Sequence, residues 1–182
     1  MGFFSKTPQE LCDKGYAAYR AGKTVKGMAQ LEVAAEEGCG QAWYYLAKIY
    51  EANARDSEDD ENEKKAFECY KKAADLDVKA ARNELALCYQ SGYGTEEDKI
   101  KALYYYEKAA ILDNNAESMV WMAGIYKTGM AGVRDNQKAF DWYQKAAALG
   151  NKDAAFEIGE MYETGQGAAK NEEEASLLQT AI

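Results

Sequence analysis

The sequence predicts an all-α fold, an array of about five helical hairpins, and three observations carry that prediction. A nine-residue pattern recurs in one frame, its closing tyrosines (Tyr19, Tyr50, Tyr89, Tyr126 and Tyr162) lying 31, 39, 37 and 36 residues apart. Glycine-bearing loops and capping residues alternate with these segments, and the whole chain of 182 residues holds a single proline. A fixed period in this range marks stacked supersecondary units, each burying its apolar face on the next.

The frame is clearest in Ala81–Tyr89, Ser118–Tyr126 and Ala154–Tyr162, and Ala42–Tyr50 obeys it. A small residue opens it (Ala42, Ala81, Ser118, Ala154), a large aliphatic stands four later (Leu46, Leu85, Met122, Ile158), and a small residue follows (Ala47, Ala86, Ala123, Gly159). Spacings of four, one and three put these side chains and the closing tyrosine on one helical stripe. Tyr19 and Gly22 mark a fainter first copy. Gly92-Tyr93-Gly94, Gly129 to Gly132 and Gly165-Gln166-Gly167 read as loops after these helices. Each second helix then starts behind an expected N-cap, Asn62, Asp98, Asp135 or Asn171. Its core is Ala66/Tyr70/Ala73, Ala102/Tyr106/Ala109 or Ala139/Tyr143/Ala146, alanines allowing close helix approach and the tyrosine filling the space between.

These motifs carry a family resemblance. Ser118 to Gly150, with Gly129, Gly132-Val133, Asp135, Lys138-Ala139, Trp142-Tyr143 and Lys145-Ala146-Ala147, resembles the Sel-one-like repeat of the tetratricopeptide superfamily. The resemblance covers about residues 41–182. It implies an α/α solenoid wound as a right-handed superhelix, a single domain over 8–182 with repeats at 41–79, 80–115, 116–152 and 153–182. Residues 8–40 look like a plain tetratricopeptide hairpin, with Gly15, Ala18, Gly27, Leu31 and Ala34 at its offsets, and 1–7 are a tail. Two departures stand out. Asn53 replaces a loop glycine and an insert at 54–61 lengthens that loop, while Gln179 and Ile182 stand where tyrosine and alanine are expected.

Composition narrows the function. The net charge is −9, from 22 Lys plus Arg against 31 Asp plus Glu, which argues against nucleic acid and for a basic or mixed-charge protein or peptide partner. No histidine is present, so His-based triads, proton shuttles and metal ligands are excluded, and no nucleophile stands beside a general base. Neither an enzyme nor a cofactor or metal is expected. Cys12, Cys39, Cys69 and Cys88 form no CxxC pair and read as reduced thiols of a cytoplasmic protein. Residues 1–6 lack a signal peptide's apolar core, Lys6 breaks the myristoylation pattern, and no run approaches the roughly 20 apolar residues of a membrane span. The acidic run 56–63 lacks the central glycine and closing acid of a calcium loop and reads as a solvated loop beside a helix N-terminus. The Gly-x-Gly pairs follow helices rather than strands, so they are turns and not phosphate cradles.

In the tetratricopeptide-like arrays that the chain resembles, the first helices line the concave face that holds the partner. Six before each closing tyrosine stand Tyr44, Asn83, Val120 and Phe156; two before, Lys48, Leu87, Gly124 and Glu160; one after, Glu51, Gln90, Lys127 and Glu163. Their first-copy equivalents are Cys12, Tyr16 and Tyr19. The candidate binding residues are therefore Tyr16, Tyr19, Tyr44, Lys48, Asn83, Leu87, Gln90, Val120, Lys127 and Phe156, with tyrosine anchors and with Asn83 and Gln90 bonding a peptide backbone. The last helix carries Leu177, Leu178 and Ile182 with nothing after it to cover them, so self-association, a docked partner or a chain ending short of its natural terminus is expected there. The resulting function is a non-catalytic scaffold or adaptor that holds a peptide or protein segment on its concave face. The alternative is a dedicated inhibitor or immunity-type binder masking one basic partner.

Overall fold

A computed structural model describes residues 6–57 and 60–180. The expectations at Glu58, Asp59 and Ile182, and at residues 1–5 of the tail, lie outside them. Among the described residues there are ten α-helices, one 3-10 turn and no strand. The chain divides between Glu97 and Asp98 into two compact units. The first holds α1 (Pro8–Arg20), α2 (Thr24–Glu36), α3 (Gly40–Ser57), α4 (Asp60–Asp75) and α5 (Lys79–Ser91); the second holds α6 (Lys99–Leu112), α7 (Ala116–Thr128), α8 (Asn136–Ala148), α9 (Lys152–Thr164) and α10 (Glu172–Thr180). Within the first unit α1–α2 and α3–α4 are hairpins and α5 packs on α4; within the second, α7–α8 and α9–α10 are hairpins and α6 packs on α7.

The helix ends follow the local chemistry. Thr7 and Glu10 form a reciprocal capping box at α1, with proline at its first position. Asp98 accepts from the Ile100 and Lys101 amides, Asp135 from Lys138 and Asn171 from Glu174, as the sequence predicts. Asn115 and Asn151 cap α7 and α9 in the same way, accepting from Ser118 and Ala154 at 2.7 and 2.8 Å. Gly92, Gly129 and Gly165 close α5, α7 and α9 in the left-handed conformation.

The second copy corrects two expectations. Asn62 is not an N-cap, because α4 already starts at Asp60. The insert does not lengthen a loop but extends α3 to Ser57. With no glycine at 53, nothing stops the helix: Glu51 pairs with Arg55 one turn on, and Ala52, Asn53 and Ala54 continue it.

Small residues set the interhelical distances. A Cβ on Gly15 would lie 3.0 Å from the Gly27 carbonyl oxygen, and one on Gly27 would lie 2.6 Å from the Tyr19 nitrogen, so α1 and α2 cross with their backbones nearly touching. The second glycine of each Gly-x-Gly serves a similar contact. Gly94 lies against the Glu63 carbonyl at the start of α4 and Gly167 against the Asn136 carbonyl at the start of α8, both at positive φ, where a Cβ would sit 2.2 and 2.1 Å from oxygen. Between the alanine stripes, Tyr70, Tyr106 and Tyr143 are 1%, 0% and 3% exposed; each ring removed from water contributes about 1.5–3 kcal/mol. The closing tyrosines pack hairpin on hairpin where a phenylalanine faces them. Phe67 meets Tyr89 edge-on at 5.3 Å and Phe140 meets Tyr162 at 5.2 Å. Tyr50 and Tyr126 instead lie half-buried beneath Lys65 and Lys138.

Candidate functional site

The first helices of the Met1–Glu97 unit bring four of the ten predicted residues, Tyr16, Tyr44, Lys48 and Leu87, to one cluster and its cavity. On α1 and α3 the Tyr16 and Tyr45 rings stack face to face, centroids 3.9 Å apart, and Tyr44 lies against both Tyr45 and Tyr70. One turn along α3, the Lys48 ammonium donates to Glu51 at 3.0 Å and reaches α5 to pair with Glu84 at 2.8 Å, lying 5.7 Å from the Tyr70 ring centre. The Tyr70 hydroxyl donates to Glu51 at 2.6 Å, and Arg55 also pairs with that carboxylate.

A cavity of about 140 Å³ opens beside this cluster, lined by Glu51, Tyr70, Glu84, Leu87, Ser91 and Tyr93 among others. The Tyr93 hydroxyl is buried there with no hydrogen-bond partner among the described residues. Leu87 supplies an apolar wall and the two glutamates the polar one.

The electrostatics follow from this geometry. Burial alone would raise the Glu51 pKa, but the Tyr70 and Lys48 hydrogen bonds outweigh it and hold the carboxyl below its ordinary value. Burial likewise disfavours the Lys48 ammonium, yet its two glutamates raise its pKa. Burial and the Glu51 hydrogen bond push the Tyr70 phenol far upward, so it stays a donor. The site is a network of paired charges and one phenol beside an apolar wall. Among the described residues no three His, Cys, Asp or Glu side chains converge on a metal-sized site, and no helix is long and apolar enough to cross a membrane.

The Asp98–Ile182 unit carries a local counterpart. Lys127 on α7 pairs with Glu157 at 2.7 Å and Glu160 at 3.2 Å on α9, and the Tyr143 hydroxyl bonds Glu157. Phe156 is 47% exposed and Val120 half-buried. In both units a first-helix lysine reaches the glutamate three residues after the next opening alanine, and of the two only Lys48 is seen over a buried second-helix tyrosine among the described residues.

Of the remaining predicted residues, Tyr19 and Gln90 are half-buried on their helices. Two positions lie deeper than a surface reading expects. Asn83 is only 6% exposed. Cys12 is fully buried, and burial and the neighbouring Cys39 push its thiol up to about 12, while the Cys39 thiol donates to Gln9 at 3.6 Å. The sequence reading missed the position five before each closing tyrosine: Tyr45, Glu84, Trp121 and Glu157. Tyr45 stacks on Tyr16, Trp121 on Tyr106 at 6.1 Å, and the glutamates take the lysines. Their changing character within a constant frame was the available signal. At the C-terminal end Leu177 is 57% exposed, while Leu178 is half-buried beside buried Ala175.

Comparison with known proteins agrees with this architecture. The Sel1 repeat family model matches residues 57–78, 79–114, 116–151 and 152–175, beginning where the extended α3 ends. Chitin synthase regulatory factor 2 of Schizosaccharomyces pombe is 38% identical over 73 residues, which cover 40% of this chain and 14% of that protein. A Sel1 repeat protein from Oxalobacter formigenes superposes with a TM-score of 0.78 at 29% identity, over 93% of this chain and 67% of that one. A protective antigen of uropathogenic Escherichia coli with an SLR fold superposes at 0.84 and 21% identity, over 95% of this chain and 37% of the antigen, a likeness of fold.

Proposed function

The chain belongs to the Sel1 repeat family, and from that membership we propose that it is a non-catalytic scaffold whose first-helix face in the Met1–Glu97 unit holds a segment of a protein partner. Sel1 repeat proteins mediate protein–protein interactions and are generally non-catalytic. The observation that supports this site is the convergence of the non-repeating residues. Tyr16, Tyr45 and Tyr44 form one aromatic cluster that runs on to Tyr70, Lys48 lies beside the Tyr70 ring, and Tyr70 and Leu87 line the 140 Å³ cavity. Stacked tyrosines offer large contact area with few rotatable bonds, and the Lys48–Glu84 network prearranges them, so little ordering is required on binding.

The chain spans 14% of the yeast regulatory factor, so that protein's partners bear on this one only as a precedent for regulatory assembly. The net charge of −9 favours a partner of basic or mixed charge whose association slows with salt. The test is quantitative affinity purification from the native host with the wild type and with Tyr16→Ala/Leu87→Asp. Recovery of the partner should fall about tenfold or more, as expected when two central anchors are lost, with helicity at 222 nm unchanged. Equal recovery by both proteins would remove this face from consideration.

A further inference from the structure

The first hairpin carries a second surface of opposite chemistry. Residues 1–30 hold Lys6, Lys14, Arg20, Lys23 and Lys26 against only Glu10 and Asp13, in a chain whose net charge is −9. In the fold four of these cations gather. A groove of about 380 Å³ runs between α1 and α2, with Ala17 and Ala21 in its floor and Lys6, Lys14, Lys23 and Lys26 around it. All four lysines are exposed, and none makes an ion pair or side-chain hydrogen bond among the described residues. Elsewhere on the chain Lys48, Lys65, Lys101, Lys127, Lys138 and Lys170 each have a carboxylate within 4 Å.

Two further features favour an anionic occupant with an apolar side. The α2 N-cap, Lys23, makes no side-chain cap and the first turn of α2 has no acidic residue, so its positive end is uncompensated. Val25 beside it is 85% exposed, and the alanine floor admits close approach of small apolar side chains. We propose that the α1–α2 groove docks an acidic, amphipathic segment of a partner protein, its carboxylates meeting Lys14, Lys23 and Lys26 and its small apolar side chains lying on Ala17 and Ala21. The strong negative charge of the rest of the chain repels long polyanions and anionic bilayers, whereas a short segment fills the groove without meeting it.

This surface is separate from the aromatic face, and the experiment keeps the two apart. Fluorescence anisotropy is measured at 50 mM salt with labelled acetyl-EELAEELAEELA-amide, and with the same peptide carrying Gln for Glu. The acidic peptide should bind at least about tenfold more tightly than the Gln peptide, and its affinity should fall with added salt as screened charge pairs do. Lys14→Glu/Lys23→Glu/Lys26→Glu should weaken it at least tenfold. Lys64→Glu/Lys71→Glu/Lys79→Glu, which changes net charge equally, and Tyr16→Ala/Leu87→Asp should leave it within twofold. Equal binding by wild type and the groove variant, or an equal loss in the Lys64/Lys71/Lys79 variant, overturns the proposal. So does tighter binding of vesicles containing 30% phosphatidylserine, or of an oligo-dT strand, than of the acidic peptide.

Discussion

Tyr70→Phe isolates the hydrogen bond at the centre of the aromatic face. The ring is 1% exposed and its hydroxyl donates to Glu51 at 2.6 Å, so the substitution keeps the packing and deletes one donor to a carboxylate. Hydrogen bonds to charged groups are worth roughly 1.5–3 kcal/mol and neutral ones roughly 0.5–1.5 kcal/mol. Glu51 keeps Lys48 and Arg55, which compensate in part, so a loss of about 1.5–2 kcal/mol at pH 7 follows. The pH dependence has a definite sign. The Glu51 pKa is lowered in the fold, so its contribution is complete above the unfolded carboxyl value of about 4.3 and is lost as pH falls through the folded value. The wild-type advantage should therefore shrink towards about 1 kcal/mol or less as pH falls through the folded Glu51 value, below which only a neutral hydrogen bond is at stake. Urea unfolding of the Met1–Glu97 unit, followed through Trp43 in a Trp121→Phe/Trp142→Phe background, measures both values. A difference below about 0.5 kcal/mol at pH 7, or one that does not change with pH, refutes the reasoning.

Two other outcomes follow from packing. Gly167→Ala places a Cβ 2.1 Å from the Asn136 carbonyl oxygen at positive φ, whereas Gly132→Ala meets open space at similar φ. Thermal denaturation should show the first losing more than about 2 kcal/mol and the second about 1 kcal/mol, the left-handed cost alone; equal losses would mean the loop moves freely off α8. Burial pushes the Cys12, Cys69 and Cys88 thiols up to about 12, 11 and 12, so at pH 8 these three should resist Ellman's reagent in the native protein and react on unfolding. Labelling of all four thiols in the folded state within minutes would contradict their burial.

The hairpins were legible because each rule that announces them is local. A small residue, an aliphatic four later and a tyrosine four after that define a buried stripe whatever lies opposite, and Asp98, Asp135 and Asn171 cap their helices using only neighbouring amides. The same reasoning failed at Asn53 and Asn62, where the missing glycine let α3 run on to Ser57. The site was half legible. Tyr16, Tyr44, Lys48 and Leu87 were singled out by their offsets and lie in or beside one cluster in the fold, while Tyr45, Glu84, Trp121 and Glu157 were passed over because the reading assigned that offset to neither core nor face.

The amino-acid sequence by itself determined the repeat, its period, the helical class and the residues that hold hairpin to hairpin. These depend on spacing along one helix and on turn chemistry, which the order of residues specifies directly. Only the tertiary structure decided which side chains of different repeats meet. Lys48 reaches Glu84 on α5, Tyr16 stacks on Tyr45, Asn83 is buried and four lysines line one groove of an acidic protein. Such pairings depend on how far and at what angle one helix sits from the next. The backbone contacts at Gly15, Gly27, Gly94 and Gly167 set that geometry, and no single repeat contains it.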